Sequence, residues 1–210
     1  MAEPVLDLYF QMLQVLEELE INYVIIGAFA GVSYGVTRTT FDIDIVVDLQ
    51  DSQIEPLVAA FPPPRYYADP FQIRDSIHWG ILFNIIDSTA GRKVDLIPLT
   101  MQPGYGFALA HRIRRTIPVS SPSVVEAWFA RPEDIIVGKL MAWGEGHSLK
   151  HELDIRDILI AVRLGDDPDI ANTFDFEYIN DWAKTLGDEV RQLWENLKQS
   201  AQPIIEDTIN

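Results

Sequence analysis

The sequence predicts an α/β (α+β) protein in which a mixed sheet with flanking helices is followed by a C-terminal helical portion. Three observations carry this. Apolar runs at Tyr23–Ile26, Ile43–Val47 and Lys93–Leu99 have the length of buried strands and are interleaved with segments of helical period. Turn residues punctuate them at Gly27, Gly35, Pro62–Pro64 and Asp87–Gly91. From His151 to about Ser200 the apolar positions recur only at helical spacing. The expected division is residues 1–130 for the sheet-bearing core and 131–210 for a helical subdomain packed on it. With 210 residues, 48% of them hydrophobic, the chain is long enough to bury a sizeable core.

Each element has a local reason. Val5, Leu8, Met12, Val15, Leu16 and Leu19 stand near helical spacing with Glu17, Glu18 and Glu20 on the wet side, so an amphipathic helix is expected over Val5–Leu19. Tyr23–Ile26 is a buried strand ending at Gly27, and Ala28–Tyr34 a short small-residue helix stopped by Gly35. The next strand begins at Phe41 and ends near Asp48. Ser52–Phe61 puts Ile54, Leu57, Val58 and Phe61 on one helix face, which Pro62–Pro64 cannot continue. Strands are expected at Phe71–Ile77 and Trp79–Ile86, the latter joined in a hairpin through Asp87–Gly91 to Lys93–Leu99. Gly106–Arg115 reads as a short helix and Val124–Phe129 as the last strand. Pro132, followed by Glu133 and Asp134 at the positive end of the dipole, opens a helix that runs through Met141. Further helices follow to about Ser200, with a loop around Pro168.

Composition narrows the function. Thirty-two acids against sixteen bases give a formal charge of −16, which repels a phosphate backbone, so an extensive nucleic-acid surface is not expected. A small anionic nucleotide remains admissible, because a bound divalent cation supplies local positive charge. The absence of cysteine excludes disulfides and thiolate chemistry. No basic segment leads an apolar stretch at the N-terminus, and the run from Tyr23 to about Val36 is too short and Gly-rich to span a bilayer. A cytoplasmic protein without membrane contact is the expectation. No P-loop, dinucleotide-binding turn or nucleophile elbow is present.

The chemistry is concentrated in Phe41-Asp42-Ile43-Asp44-Ile45-Val46-Val47. On a strand, Asp42 and Asp44 would project from one face, roughly 6 to 7 Å apart at Cα, while Ile43 and Ile45 face the core. Asp95 repeats the arrangement in the Lys93–Leu99 strand and would complete a three-acid cluster if the two strands are neighbours. Clustered carboxylates repel one another unless a cation lies between them. Oxygen donors without histidine suit Mg²⁺, with Mn²⁺ as a substitute. Three acids, a glycine turn and Mg²⁺ suggest nucleotidyl transfer. The competing reading of any one Asp-x-Asp pair in so acidic a chain is a solvated strand face.

Gly27-Ala28-Phe29-Ala30, then Tyr34-Gly35-Val36-Thr37-Arg38-Thr39-Thr40 and the Asp42 strand, resemble the active-site signature of the DNA polymerase β-like nucleotidyltransferases, most nearly the small bacterial AbiEii-type toxin nucleotidyltransferases. Pro132–Leu140 and Asp154-Ile155-Arg156-Asp157-Ile158 look like that group's lysine helix and downstream Asp helix. The resemblance spans about residues 5–165. It implies a Mg²⁺-dependent transfer of a nucleoside monophosphate from NTP to an acceptor hydroxyl on an RNA end, a protein or a small molecule, in a toxin-like setting with a cognate antitoxin-like partner. Asp42 and Asp44 would hold one ion and Asp95 a second. Gly27 would let the backbone approach the triphosphate, and Ala28, Arg38, Lys139 and Asp157 would join the nucleotide site. Ala28 stands where the group commonly has Gly or Ser and offers no hydroxyl to a phosphate. The alternative is a nucleotidyltransferase-fold protein without catalysis, serving as a nucleotide-binding or protein-interaction module.

Several residues carry two readings. Arg38 either neutralises phosphate charge or pairs with a nearby acid to fix its loop. Lys139 lies in an apolar helix, where a structural lysine would snorkel outward. Asp154 and Asp157 would be explained, at least one of them, by solvated ion pairs with Lys150 or Arg156. His147 and His151 read as a surface pair rather than a zinc site. His111-Arg112-Ile113-Arg114-Arg115 reads as a solvated helix face, with a nucleotide or RNA end as its other use. Trp143, Trp182 and Trp194 fall at helical core spacing.

Overall fold

The computed structural model describes residues 7–40, 42–120 and 123–201. Among them the elements run α1 (Asp7–Glu18), β1 (Asn22–Ile26), α2 (Gly27–Val32), β2 (Ile43–Asp48), α3 (Asp51–Ala59), β3 (Tyr66–Tyr67), α4 (Pro70–Trp79), β4 (Phe83–Asp87), β5 (Arg92–Pro98), α5 (Gly106–Ala110), β6 (Ile113–Ser120) and β7 (Ser123–Phe129). Then come α6 (Pro132–Gly146), α7 (Leu149–Leu164), α8 (Pro168–Thr173), α9 (Phe176–Thr185) and α10 (Asp188–Ser200). Two compact units result: Met1–Phe29 with Thr39–Arg131, and Ala30–Arg38 with Pro132–Asn210. The segment that follows the Gly27 turn thus belongs to the helical unit.

The first unit is built on a seven-stranded mixed sheet of order β3-β4-β5-β2-β1-β7-β6. β2 runs antiparallel to β1 and parallel to β5, and β1 is parallel to β7. The hairpin expected through residues 87–91 forms as β4–β5. Burial explains why the central strands hold their register: Ile25, Ile43, Ile45, Ile85 and Leu96 are essentially inaccessible, as are Leu8, Met12 and Leu16 of α1. A one-residue slip would turn those side chains over and put Asn84, Asp44 and Asp95 among them. The helical unit has its own core of Ile136, Leu140, Ile155, Ile158, Leu159, Ile179 and Trp194, all fully buried. No helix among the described residues is long and apolar enough to cross a membrane.

Four expectations are overturned. Phe71–Ile77 is a helix, α4, and not a strand: the Asp69 carboxylate accepts the backbone N–H groups of Phe71 (2.8 Å) and Gln72 (3.3 Å), Pro70 occupies the first turn, and Gly80 closes the helix at φ +63. Capping at both ends outweighs the apolar alternation, of which Phe71 is 75% exposed. The strand expected at Trp79–Ile86 is accordingly confined to Phe83–Asp87. The helix expected over Gly106–Arg115 stops at Ala110, and Ile113–Ser120 is a strand pairing β7 from Ile113↔Phe129 onward. The basic cluster therefore runs from the end of α5 into an edge strand, where Arg114 grips Glu17, and both Arg112 and Arg114 lie over the Trp128 ring. Finally, the loop at Pro168 is a short helix capped by the Asp167 carboxylate on the N–H groups of Asp169 and Ile170. Val5 and Phe41, which open two of the expected elements, lie outside the described residues.

Candidate active site

β1, β2, β5 and β4 bring one row of residues side by side. Asp44 stands opposite Ile26 on β1 and Asp95 on β5, and Asp95 in turn stands opposite Asn84 on β4. Because in-register neighbours share a face, the Asp44 and Asp95 carboxylates emerge on the same side of the sheet, while Ile43, Ile45, Val94 and Leu96 are fully buried. Asp42 is not on the strand. It is exposed and directly precedes β2, its carbonyl oxygen accepting a hydrogen bond from the Thr40 hydroxyl (3.1 Å), so the alternation argument does not apply to it.

Gly27 bounds the row. It begins α2 at φ +69, a left-handed conformation that glycine adopts without cost. A Cβ added there would stand 2.1 Å from Asp44 Oδ2. The missing side chain therefore makes room for a carboxylate, a requirement that a turn signal in the sequence did not reveal. Ala28 beside it is buried.

Asp95 is 7% exposed and fully engaged. Lys93 Nζ donates to both its oxygens, at 2.7 and 3.0 Å, and the Asn84 amide donates to Oδ1. The hydrogen bond to Asp95 raises the Lys93 ammonium above its ordinary value; burial opposes the rise, and the charges of Asp95, Asp42 and Asp44 add to it. All three candidate acids thus act on one lysine. Lys93 and Asp95 are two residues apart on one strand, so period-2 alternation puts them on one face and was the available signal.

The metal implied by the resemblance can be tested on these donors. Asp42, Asp44 and Asp95 offer only carboxylate oxygens, the donor set Mg²⁺ takes, and a monovalent ammonium already stands on one of them. The chemistry fits. In the arrangement seen, no group of three His, Cys, Asp or Glu side chains among the described residues is gathered closely enough to hold an ion, so Asp44 and Asp95 form the side-by-side pair and Asp42 stands at the strand entrance.

The other selected residues converge elsewhere, inside the helical unit. Asp154 on α7 is 1% exposed and is not in a solvated pair with Lys150 or Arg156. Arg38 grips it through Nε (2.8 Å) and a terminal nitrogen (3.0 Å), and Lys139 Nζ, from α6, reaches the same carboxylate. Lys139 is 5% exposed, so it does not snorkel; it is buried on its counter-ion. One turn further along α7, Asp157 Oδ2 accepts the Thr37 backbone N–H (3.0 Å) and hydroxyl (2.9 Å). Gly35, at φ +96, lies so close to α7 that an added Cβ would meet Ala161 Cβ at 2.6 Å. Residues 35–38 are thereby clamped along the 154/157/161 face of one helix. Burial pushes the Asp154 carboxyl up, but the hydrogen bonds and charges of Arg38 and Lys139 outweigh it and hold the group below its ordinary range. The neighbouring His151 is held below its ordinary value by burial and by Lys139 and Lys150. His147 pairs instead with Glu189 at 3.3 Å on an exposed surface. Of the three tryptophans only Trp194 is fully buried, its indole N–H on Asn180.

The fold is that of nucleotidyltransferase-like proteins: an antigenic nucleotidyltransferase-like protein from Paracoccidioides brasiliensis superposes with a TM-score of 0.51 at 19% identity, over 97% of this chain and 95% of that one. The antibiotic-resistance factor ANT(2'')-Ia is similar at TM-score 0.46 and 16% identity (95% and 97% covered), and JHP933 from Helicobacter pylori at 0.40 and 13% (94% and 93%). No curated protein matches the chain in sequence. The chain belongs to the DUF6036 family, nucleotidyltransferases of unknown function, whose model matches residues 5–198.

Proposed function

We propose that this protein transfers a nucleoside monophosphate from an NTP to an acceptor hydroxyl in a Mg²⁺-dependent reaction. The observation that carries the reading is the pair Asp44 and Asp95, side by side on parallel strands beside the Gly27 turn, in a member of a nucleotidyltransferase family. Asp44 and Asp95, with Asp42 drawn in from the strand entrance, would hold the metal, which would supply positive charge to the triphosphate and to the developing charge of the transition state. The acceptor oxygen bonds to the α-phosphorus, the bond to departing pyrophosphate breaks, and Asp95 takes the hydroxyl proton. Gly27 keeps Asp44 in the row. Arg38, Lys139 and Asp157 serve as positioning residues within their own unit: they fix residues 35–38, which precede Asp42 in the chain. The net charge of −16 favours a protein or small-molecule acceptor, or at most the end of an RNA, over a long nucleic-acid strand. The likeness to toxin nucleotidyltransferases supports a toxin-like role with a cognate antitoxin partner.

A second reading, a nucleotide-binding or interaction module without catalysis, is favoured by the capture of Asp95 by Lys93 and Asn84. Incubation with labelled NTP, Mg²⁺ and either RNA, protein or metabolite fractions separates the two. Label transfer that Asp44→Asn abolishes supports the enzyme, whereas nucleotide binding without transfer supports the module.

A further inference from the structure

We propose that Lys93 is a built-in counter-cation of the acid row, holding Asp95 while no divalent ion is bound and giving way when one enters, so that it competes with the metal for the same carboxylate. This rests on the reading of Asp44 and Asp95 as metal-binding. Two carboxylates in register on adjacent strands repel each other, and a protein that must keep both ionised without metal needs a cation beside them. Lys93 is suited to that task by position and by exposure. It lies on the same face of β5 as Asp95, and its ammonium spans both Asp95 oxygens at 2.7 and 3.0 Å. Its side chain is 43% exposed against 11% for Asp95, so the ammonium comes from the solvent side, on a flexible four-carbon stem.

The contrast with Lys139 gives the claim its content. Lys139 is 6% exposed on a carboxylate that Arg38 also grips, and taking it away would strand a buried charge. Lys93, the exposed partner of a half-buried pair, can swing out to water when an entering cation takes over its charge on Asp95. The Asn84 amide stays on Asp95 Oδ1 and keeps the carboxylate oriented while the cation changes. A metal binding to Asp95 therefore exchanges one cation for another and leaves no buried charge unpaired.

The test is titration of Mn²⁺, read by the electron paramagnetic resonance signal of the free ion, together with melting in metal-free buffer and in saturating Mg²⁺. It uses the full chain and the variants Lys93→Met, Lys93→Arg and Asp44→Asn. The expected result is that Asp44→Asn weakens Mn²⁺ binding, Lys93→Met tightens it about 2- to 5-fold, the range of a modest ion pair with one exposed partner, and Lys93→Arg leaves it within about 2-fold of the native value. Mg²⁺ should also raise the melting temperature of Lys93→Met by more than it raises that of the native chain. Mn²⁺ binding that depends on Asp44 but is unchanged or weaker in Lys93→Met overturns the competition and leaves the metal site standing. Absence of Mn²⁺ binding, or binding indifferent to Asp44→Asn, overturns the metal-binding reading itself.

Discussion

Asp95 and Asp154 are both nearly buried carboxylates gripped by cationic side chains, and they differ in what surrounds the grip. Asp154 is one acid held by two cations, one of them almost as buried as itself, and every bond it makes is to this chain's own side chains. Asp95 is held by a lysine that is itself under the charge of Asp42 and Asp44, and that lysine is part-exposed. A carboxylate whose cations outnumber it inside a core is finished as a structural device. One held by a part-exposed ammonium that also feels neighbouring acids keeps an appetite for more positive charge. Electrostatic surroundings, more than burial, separate the clamp from the candidate site.

The largest effect should come from breaking the clamp. Asp154→Ala leaves Lys139 buried without its counter-ion, and urea denaturation should register a loss of about 3 to 5 kcal/mol. The same carboxylate has a pH signature. Its folded pKa lies below the ordinary 3.8, so the stabilisation is fully present above that value and is lost as pH falls through the lower, folded pKa. An acid titration of stability should therefore fall more steeply below about pH 4 for the native chain than for Asp154→Asn.

Asp44→Asn makes the opposite test, since it removes charge from an acid-rich row. Stability should stay within about 1 kcal/mol of native, while nucleotidyl transfer falls on the order of 100- to 1,000-fold, the equivalent of roughly 3 to 4 kcal/mol of barrier. Loss of stability without loss of transfer would make Asp44 another clamp. Gly27→Ala should cost about 1 to 2 kcal/mol for the left-handed backbone alone, and the Cβ standing 2.1 Å from Asp44 Oδ2 must also move that carboxylate, so transfer should fall with stability. Chemical denaturation and the labelled-NTP assay on one preparation would check both. The smallest effect belongs to Arg38→Lys, which trades a two-pronged grip on Asp154 for a point charge at a side chain 40% exposed; about 0.5 to 1 kcal/mol in a thermal melt is expected.

The acid strand was legible because its own residues define it: isoleucine and valine around Asp44 fix both strand and facing. The α4 segment was misread because Phe71, Ile73 and Ile77 satisfy a strand template as well as a helical one, and the capping residues Asp69, Pro70 and Gly80 that decide between them lie at its ends. The β6 segment was misread because its pairing partner, β7, comes later in the chain. Within the site, Asp44 and Asp95 could be nominated from sequence, but their adjacency depends on a parallel pairing that no local pattern encodes. For Arg38 the sequence does not decide between phosphate and acid, because its partner is 116 residues away.

By itself, the sequence determined which segments bury a face, where glycine must relieve the backbone and which acids stand among apolar neighbours, since these depend on residues a few positions apart. Tertiary structure alone decided which charge meets which: Lys93 on Asp95, and Arg38 with Lys139 on Asp154. Hydrogen bonds and ion pairs act over a few ångströms of space and take no account of separation along the chain, so the identity of a carboxylate's partner, and with it the difference between clamp and site, exists only in the folded molecule.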